Sequence, residues 1–132
     1  MPYVHIVLTL ALIEFFLFCL AVARARTTYN VPPPATSGHV VFERYFRVQM
    51  NTLEQLVIFV PSLLLFGAYV SPWLAAVLGL VFIVGRALYF TGYVRAAKER
   101  HFGFMLSVIP NVTLLAGALL GALWAAVRYR LG

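Results

Sequence analysis

Acidic side chains are scarce in this sequence: four in 132 residues, all glutamate, against ten Lys and Arg. Charged residues make up 11% and hydrophobic ones 63%, where a soluble domain is about a quarter charged and about half apolar. That balance excludes an ordinary water-soluble globule. The single cysteine, Cys19, lies in an apolar run and excludes an intrachain disulfide. His5, His39 and His101 are far apart and show no metal-ligand spacing, so no metal is expected. Walker, GxSxG and GxGxxG signatures are missing as well, which removes the common nucleotide and hydrolase readings.

What the chain does have is long apolar segments and a mean hydropathy of +0.93. A bilayer span needs about 20 such residues. Four segments qualify, so the sequence predicts an all-α integral membrane four-helix bundle in one domain, residues 1–132. The expected helices are 2–26, 42–70, 73–100 and 104–129, with a Pro-rich loop at 27–41. Ala21-Val22-Ala23 resembles a signal-peptidase site. The stretch before it lacks Lys and Arg, and the apolar run exceeds the usual ~7–15 residues, so a first membrane helix is the better reading. Pro32-Pro33-Pro34 stiffens the loop. Pro61 is expected to kink the second helix, and Pro110 with Asn111 to interrupt the fourth near its start, with His101-Phe102-Gly103 as the turn before it. Gly117 and Gly121 form a GxxxG that permits close helix approach.

The net charge of +6 does not indicate nucleic acid, because the basic residues sit at the ends of apolar segments. Arg24, Arg26, Arg44, Arg47, Arg95, Lys98 and Arg100 fall at one side of the membrane; the positive-inside rule makes it cytoplasmic, together with the 1–2 and 3–4 connections.

Polar residues inside these segments point to a site. Positions i, i+4 and i+7 share a helix face, so Arg47, Asn51 and Glu54 stack, with Glu54 roughly 10 Å beyond Arg47. On the third helix the spacings 3, 4 and 7 put Arg86, Tyr89, Tyr93 and Arg100 on one face. Such stripes in a membrane are expensive and usually functional; the alternative is that they only join helices or, for the tyrosines, form an aromatic belt. A pocket of Arg26, Arg47, Asn51, Glu54, Tyr89, Tyr93 and Arg100 suits a small zwitterion with excess negative charge, since arginine pairs with carboxylate and Glu54 with an ammonium. Glutathione fits this description, as do other anions. Glu14 and Arg86 lie at similar depth, and the expectation is that they pair directly or through a water; the alternative is a protonated Glu14 hydrogen-bonded to a backbone carbonyl.

The runs FERYFRVQMNTLE and GRALYFTGYVRAAKER, with VPPPATSG before them, resemble the membrane-associated proteins in eicosanoid and glutathione metabolism (MAPEG). The likeness runs from about Ala25 to Ser107 and points to the branch of microsomal glutathione transferase 2 and leukotriene C4 synthase. It implies a homotrimer with glutathione held between subunits. Carried over by position, glutathione contacts fall on Arg26, Arg47, Gln49, Asn51, Glu54, Tyr89 and Tyr93, and the thiol-activating arginine on Arg100. Two positions depart from the leukotriene synthase pattern. Gln55 stands where a glutathione-contacting tyrosine is found, and Thr27 where a second arginine is found; the latter argues against a specialised leukotriene synthase.

The resemblance implies a glutathione transferase for hydrophobic electrophiles drawn from the lipid phase, with glutathione peroxidase activity on lipid hydroperoxides as a further expectation. A non-catalytic lipid- or glutathione-binding scaffold of the same fold is the alternative, against which Arg100 speaks. A small multidrug transporter also has four helices and a carboxylate halfway along the first, as Glu14 is here, but gives the arginine–tyrosine stripes no role.

Overall fold

A computed structural model describes residues 1–131. It contains four long helices: α1 Pro2–Tyr29, α2 Val40–Tyr69, α3 Pro72–Arg95 and α4 His101–Leu131. Each is long and apolar enough to cross a membrane. Large apolar side chains such as Ile6, Phe16, Val57, Leu80, Leu119 and Leu120 point outward, which suits lipid and would be untenable in water. Helices satisfy most of their own backbone groups, as a bilayer requires.

Local chemistry sets most of the ends. Asn30 takes a left-handed conformation (φ 56°) and closes α1, with the Val31 amide donating to the Arg26 carbonyl at 3.0 Å. His39 starts α2 by accepting the Val41 amide on Nδ1 at 3.1 Å. Ser71 starts α3 by accepting the Leu74 amide at 3.1 Å, with Pro72 in the first turn. Pro61 and Pro110 sit inside continuous helices.

α1 and α4 flank a central α2–α3 pair. Toward the α2–α3 connection the core is apolar: Val4, Val7, Phe59, Leu63, Phe82 and Leu114 are buried, and the Phe59 and Phe82 rings stack at 4.0 Å. Lipid supplies little hydrophobic drive between helices, so close fit matters. α3 and α4 meet backbone to backbone: a Cβ on Gly85 would lie 2.6 Å from the Ser107 nitrogen. The GxxxG glycines seat α4 on α2, Gly117 against the Phe66 ring and Gly121 against Tyr69 and Val70.

The third helix is shorter than its sequence period predicts. It was expected to reach residue 100, but it stops at Arg95; Ala96 is extended, and Ala97–Arg100 form a short 3-10 helix. α4 then starts at His101, so His101-Phe102-Gly103 is its first turn. The cause is tertiary. Arg44 of α2 donates from Nη1 to the carbonyls of Arg95 (3.1 Å) and Val94 (3.4 Å), capping the end of α3. The residues Ala-Ala-Lys-Glu-Arg are good helix formers by themselves, so nothing local signals the break.

Candidate functional site

The polar end of the bundle is built on the first four turns of α2, which send side chains to every neighbour. Arg44 reaches the end of α3. Gln49 turns to α1, its Nε2 3.2 Å from the Cys19 sulfur. Asn51 turns to α3, accepting a hydrogen bond on Oδ1 from Arg86 Nη2 at 2.8 Å. Gln55 turns to α4, its Oε1 accepting from Asn111 Nδ2 at 2.9 Å. Arg47 and Glu54 stay exposed. The expected Arg47–Asn51–Glu54 row is therefore divided: its outer members are free, and its middle member is half-buried and engaged.

On α3 the row of Arg86, Tyr89 and Tyr93 runs up from the buried middle. Arg86 is fully buried and lies over the Tyr89 ring at 4.3 Å. Tyr89 and Tyr93 rings are 5.4 Å apart. Arg100 was expected on this same helix face; it sits instead on the 3-10 helix beyond the break. Its guanidinium still lies 5.7 Å from the centre of the Tyr93 ring, so a cation–tyrosine–tyrosine–cation stack is complete by a different route. Cations over aromatic faces at such distances attract by about 0.5–1 kcal/mol when exposed. Arg100 is exposed, and its side chain donates to the Ala97 carbonyl of its own turn.

Arg47, Tyr93 and Ala97 line one groove of about 400 Å³ with Glu43, Arg44 and Phe46. Of the other nominated residues, Arg26, Gln49, Asn51, Glu54, Tyr89 and Arg100 are not part of it. Arg26 Nη1 donates to the carbonyls of Ala35 (2.7 Å) and Val31 (3.3 Å), and the guanidinium covers the Phe42 ring at 4.9 Å, clamping the Pro-rich loop. It lines a separate groove with Pro32 and Pro33. Of the nominated residues, the single chain thus brings only Arg47 and Tyr93 into that groove; Tyr89 is buried, Asn51 is half-buried, Glu54 and Arg100 are exposed outside it, and Arg26 and Gln49 turn to the loop and to α1.

Glu14 and Arg86 make no direct ion pair; the one ion pair among the described residues joins Arg95 to Glu99 at 3.5 Å. Sequence reading paired Arg86 only with Glu14 and missed Asn51, which presented itself as a ligand group. It also missed Asn111 as the partner of Gln55. No cluster of three or more His, Cys, Asp or Glu that could hold a metal occurs among the described residues.

A sequence model of the MAPEG family matches residues 4–128, extending the likeness through α1 and α4. The chain belongs to the MAPEG family. Human microsomal glutathione S-transferase 2 is 49% identical over 104 residues, covering 77% of this chain and 70% of that protein. Leukotriene C4 synthase of Cavia porcellus is 41% identical over 106 residues, 80% of this chain and 71% of that one. An uncharacterized Synechocystis protein is 47% identical over 119 residues, 90% of this chain and 87% of its own length. As a MAPEG chain with four membrane-length helices, this is an integral multi-pass membrane protein.

Proposed function

We propose that this MAPEG chain is a membrane-bound glutathione transferase that joins the thiolate of glutathione to hydrophobic electrophiles arriving from the lipid. The observation that carries the reading is Arg100: an exposed guanidinium held over Tyr93, beside a groove walled by Arg47. A thiol must lose its proton to attack, and a nearby cation lowers its pKa. Arg100 stabilises the thiolate as the proton leaves to solvent. The sulfur then forms a bond to the electrophilic carbon, and the electron pair of the broken bond departs with the leaving group or opened epoxide. Reduction of lipid hydroperoxides by the same thiolate is the companion reaction.

Arg47, Asn51, Glu54, Tyr89 and Tyr93 grip the peptide part of glutathione. Arg26 and Gln49, which this chain directs elsewhere, serve the site of a neighbouring subunit, and a homotrimer completes each site from two chains. Exposed Arg47 and Glu54 on a membrane-spanning helix support this, since charges facing lipid are costly. The Arg-rich end faces the cytoplasm.

The test is the ultraviolet absorbance of bound thiolate against pH for wild type, Arg100→Ala and Tyr93→Phe. One charge-assisted hydrogen bond contributes roughly 1.5–3 kcal/mol, about ten- to a hundredfold in rate. Arg100→Ala is expected to raise the thiol pKa and lower kcat by that factor while glutathione affinity holds. The assignment is wrong if this variant keeps both and Tyr93→Phe loses both. Conjugation of chlorodinitrobenzene separates an enzyme from a scaffold, and native mass spectrometry in detergent reads the trimer.

A further inference from the structure

Arg86 is the largest fully buried side chain among the described residues, and an arginine buried inside a membrane-length helix is unusual. Nη2 is used by Asn51, but Nε and Nη1 are buried with no partner. A buried cation with unpaired donors is strongly unfavourable, so a counter-charge is required. The sequence offers four carboxylates. Glu43 accepts the Gly38 amide in the loop, Glu99 pairs with Arg95, and Glu54 faces outward. Glu14 remains.

The packing of α1 on α3 places it. Phe18 of α1 stacks on Phe90 of α3 with ring centres 4.8 Å apart and planes 8° apart. At the other end of the seam, a Cβ on Gly79 of α3 would come within 2.5 Å of Val7 of α1. Both pairs are 72 positions apart, and so are Glu14 and Arg86. A constant offset means that the two helices run parallel and in register. Val7, Glu14 and Phe18 share a face of α1 by the i, i+4, i+7 rule, as Gly79, Arg86 and Phe90 do on α3. Glu14 is therefore opposite Arg86, bracketed by an established contact on each side, and it is partly buried there.

The consequence reaches the site. An arginine only donates, so the Asn51 atom that meets it is the amide oxygen. That fixes the other end of the amide, Nδ2, as a donor available to an acceptor such as a carboxylate.

We propose that Glu14 is the counter-ion of Arg86, joined to it through water, and is a positioning residue that, by way of Arg86, holds the Asn51 amide with its donor end toward bound glutathione. The second half rests on the proposed function; the first does not. Water is the proposed link because the two side chains form no direct ion pair, and the unpaired Nε and Nη1 offer it two donors.

Two measurements test it on detergent-solubilised full-length protein. The first is apparent melting temperature for Glu14→Gln, Arg86→Leu and the double variant, which needs no ligand. Each single change is expected to lower the midpoint, and the double change to lower it by clearly less than the sum, because the partner charge is then no longer stranded. Additive lowering, or a Glu14→Gln protein that melts like wild type, overturns the pairing; the latter comparison decides by itself where Arg86→Leu does not fold. The second is glutathione KM against kcat with chlorodinitrobenzene. Glu14→Gln is expected to raise KM by about tenfold, the scale of one lost hydrogen bond to a charged group, with kcat unchanged and Glu14→Asp recovering part of the loss. A changed kcat at constant KM overturns the positioning role. A wild type that binds no glutathione removes the proposed function and that role together, while the melting comparison still reads the ion pair.

Discussion

Gly92 lies directly under the carbonyl of Glu99: a Cβ at residue 92 would come within 2.5 Å of that oxygen. The Ala97–Arg100 turn folds back onto α3 at this point, and the Ala96 amide still donates to the Gly92 carbonyl at 3.0 Å. The contact sets where Arg100 stands relative to Tyr93. Gly92→Ala is therefore expected to displace the turn and lower kcat while leaving glutathione affinity near wild type. A misplacement of 1 Å costs up to about a hundredfold in rate. Steady-state conjugation kinetics check it, and an unchanged kcat would show that Arg100 does not act from this position.

Gln55 is a structural residue in this chain. Its Oε1 and its backbone carbonyl both accept from Asn111 Nδ2, at 2.9 and 3.3 Å. Gln55→Ala removes the shorter bond to the buried Asn111 and is expected to destabilise by about 1–3 kcal/mol. Thermal melting of the purified protein measures this; glutathione affinity is expected to stay within about twofold, because the side chain points to α4 (a surface change of no consequence lies within ±0.5 kcal/mol).

Arg26 has a structural task that can be separated from any ligand role. Arg26→Ala removes the bonds to Ala35 and Val31 and the cover on Phe42. The expected outcome is faster limited proteolysis between residues 30 and 39 in the absence of glutathione. Cleavage at the wild-type rate would mean that Val31, His39 and Glu43 hold the loop without it.

Exposed Arg47 and Glu54 are expected to govern affinity, not rate. If both residues hold glutathione as proposed, Arg47→Ala and Glu54→Gln are each expected to remove one charge-assisted bond to it, raising KM for glutathione by about tenfold or more with kcat preserved. Loss of kcat with constant KM in either variant would place that residue at the reacting sulfur and displace Arg100 from its role.

The membrane class, the number of helices and the Pro-rich loop were legible in the sequence, and the residues nominated for the site came from it too. Apolar length, proline runs and charge position act locally, and each is read from neighbouring residues alone. The motifs around Arg47 and Tyr93 carried the family. Three features needed the tertiary structure. Arg100 left the third helix because Arg44, 50 residues away, caps Val94 at that helix end. Asn51 turned inward because a buried arginine on another helix required an acceptor. Gln55 turned to α4 because Asn111 met it there, 56 residues distant. A helix period tells which side chains share a face, but not which neighbour that face will meet; that is set by how four helices fit, and here by glycines that let α3 and α4 touch.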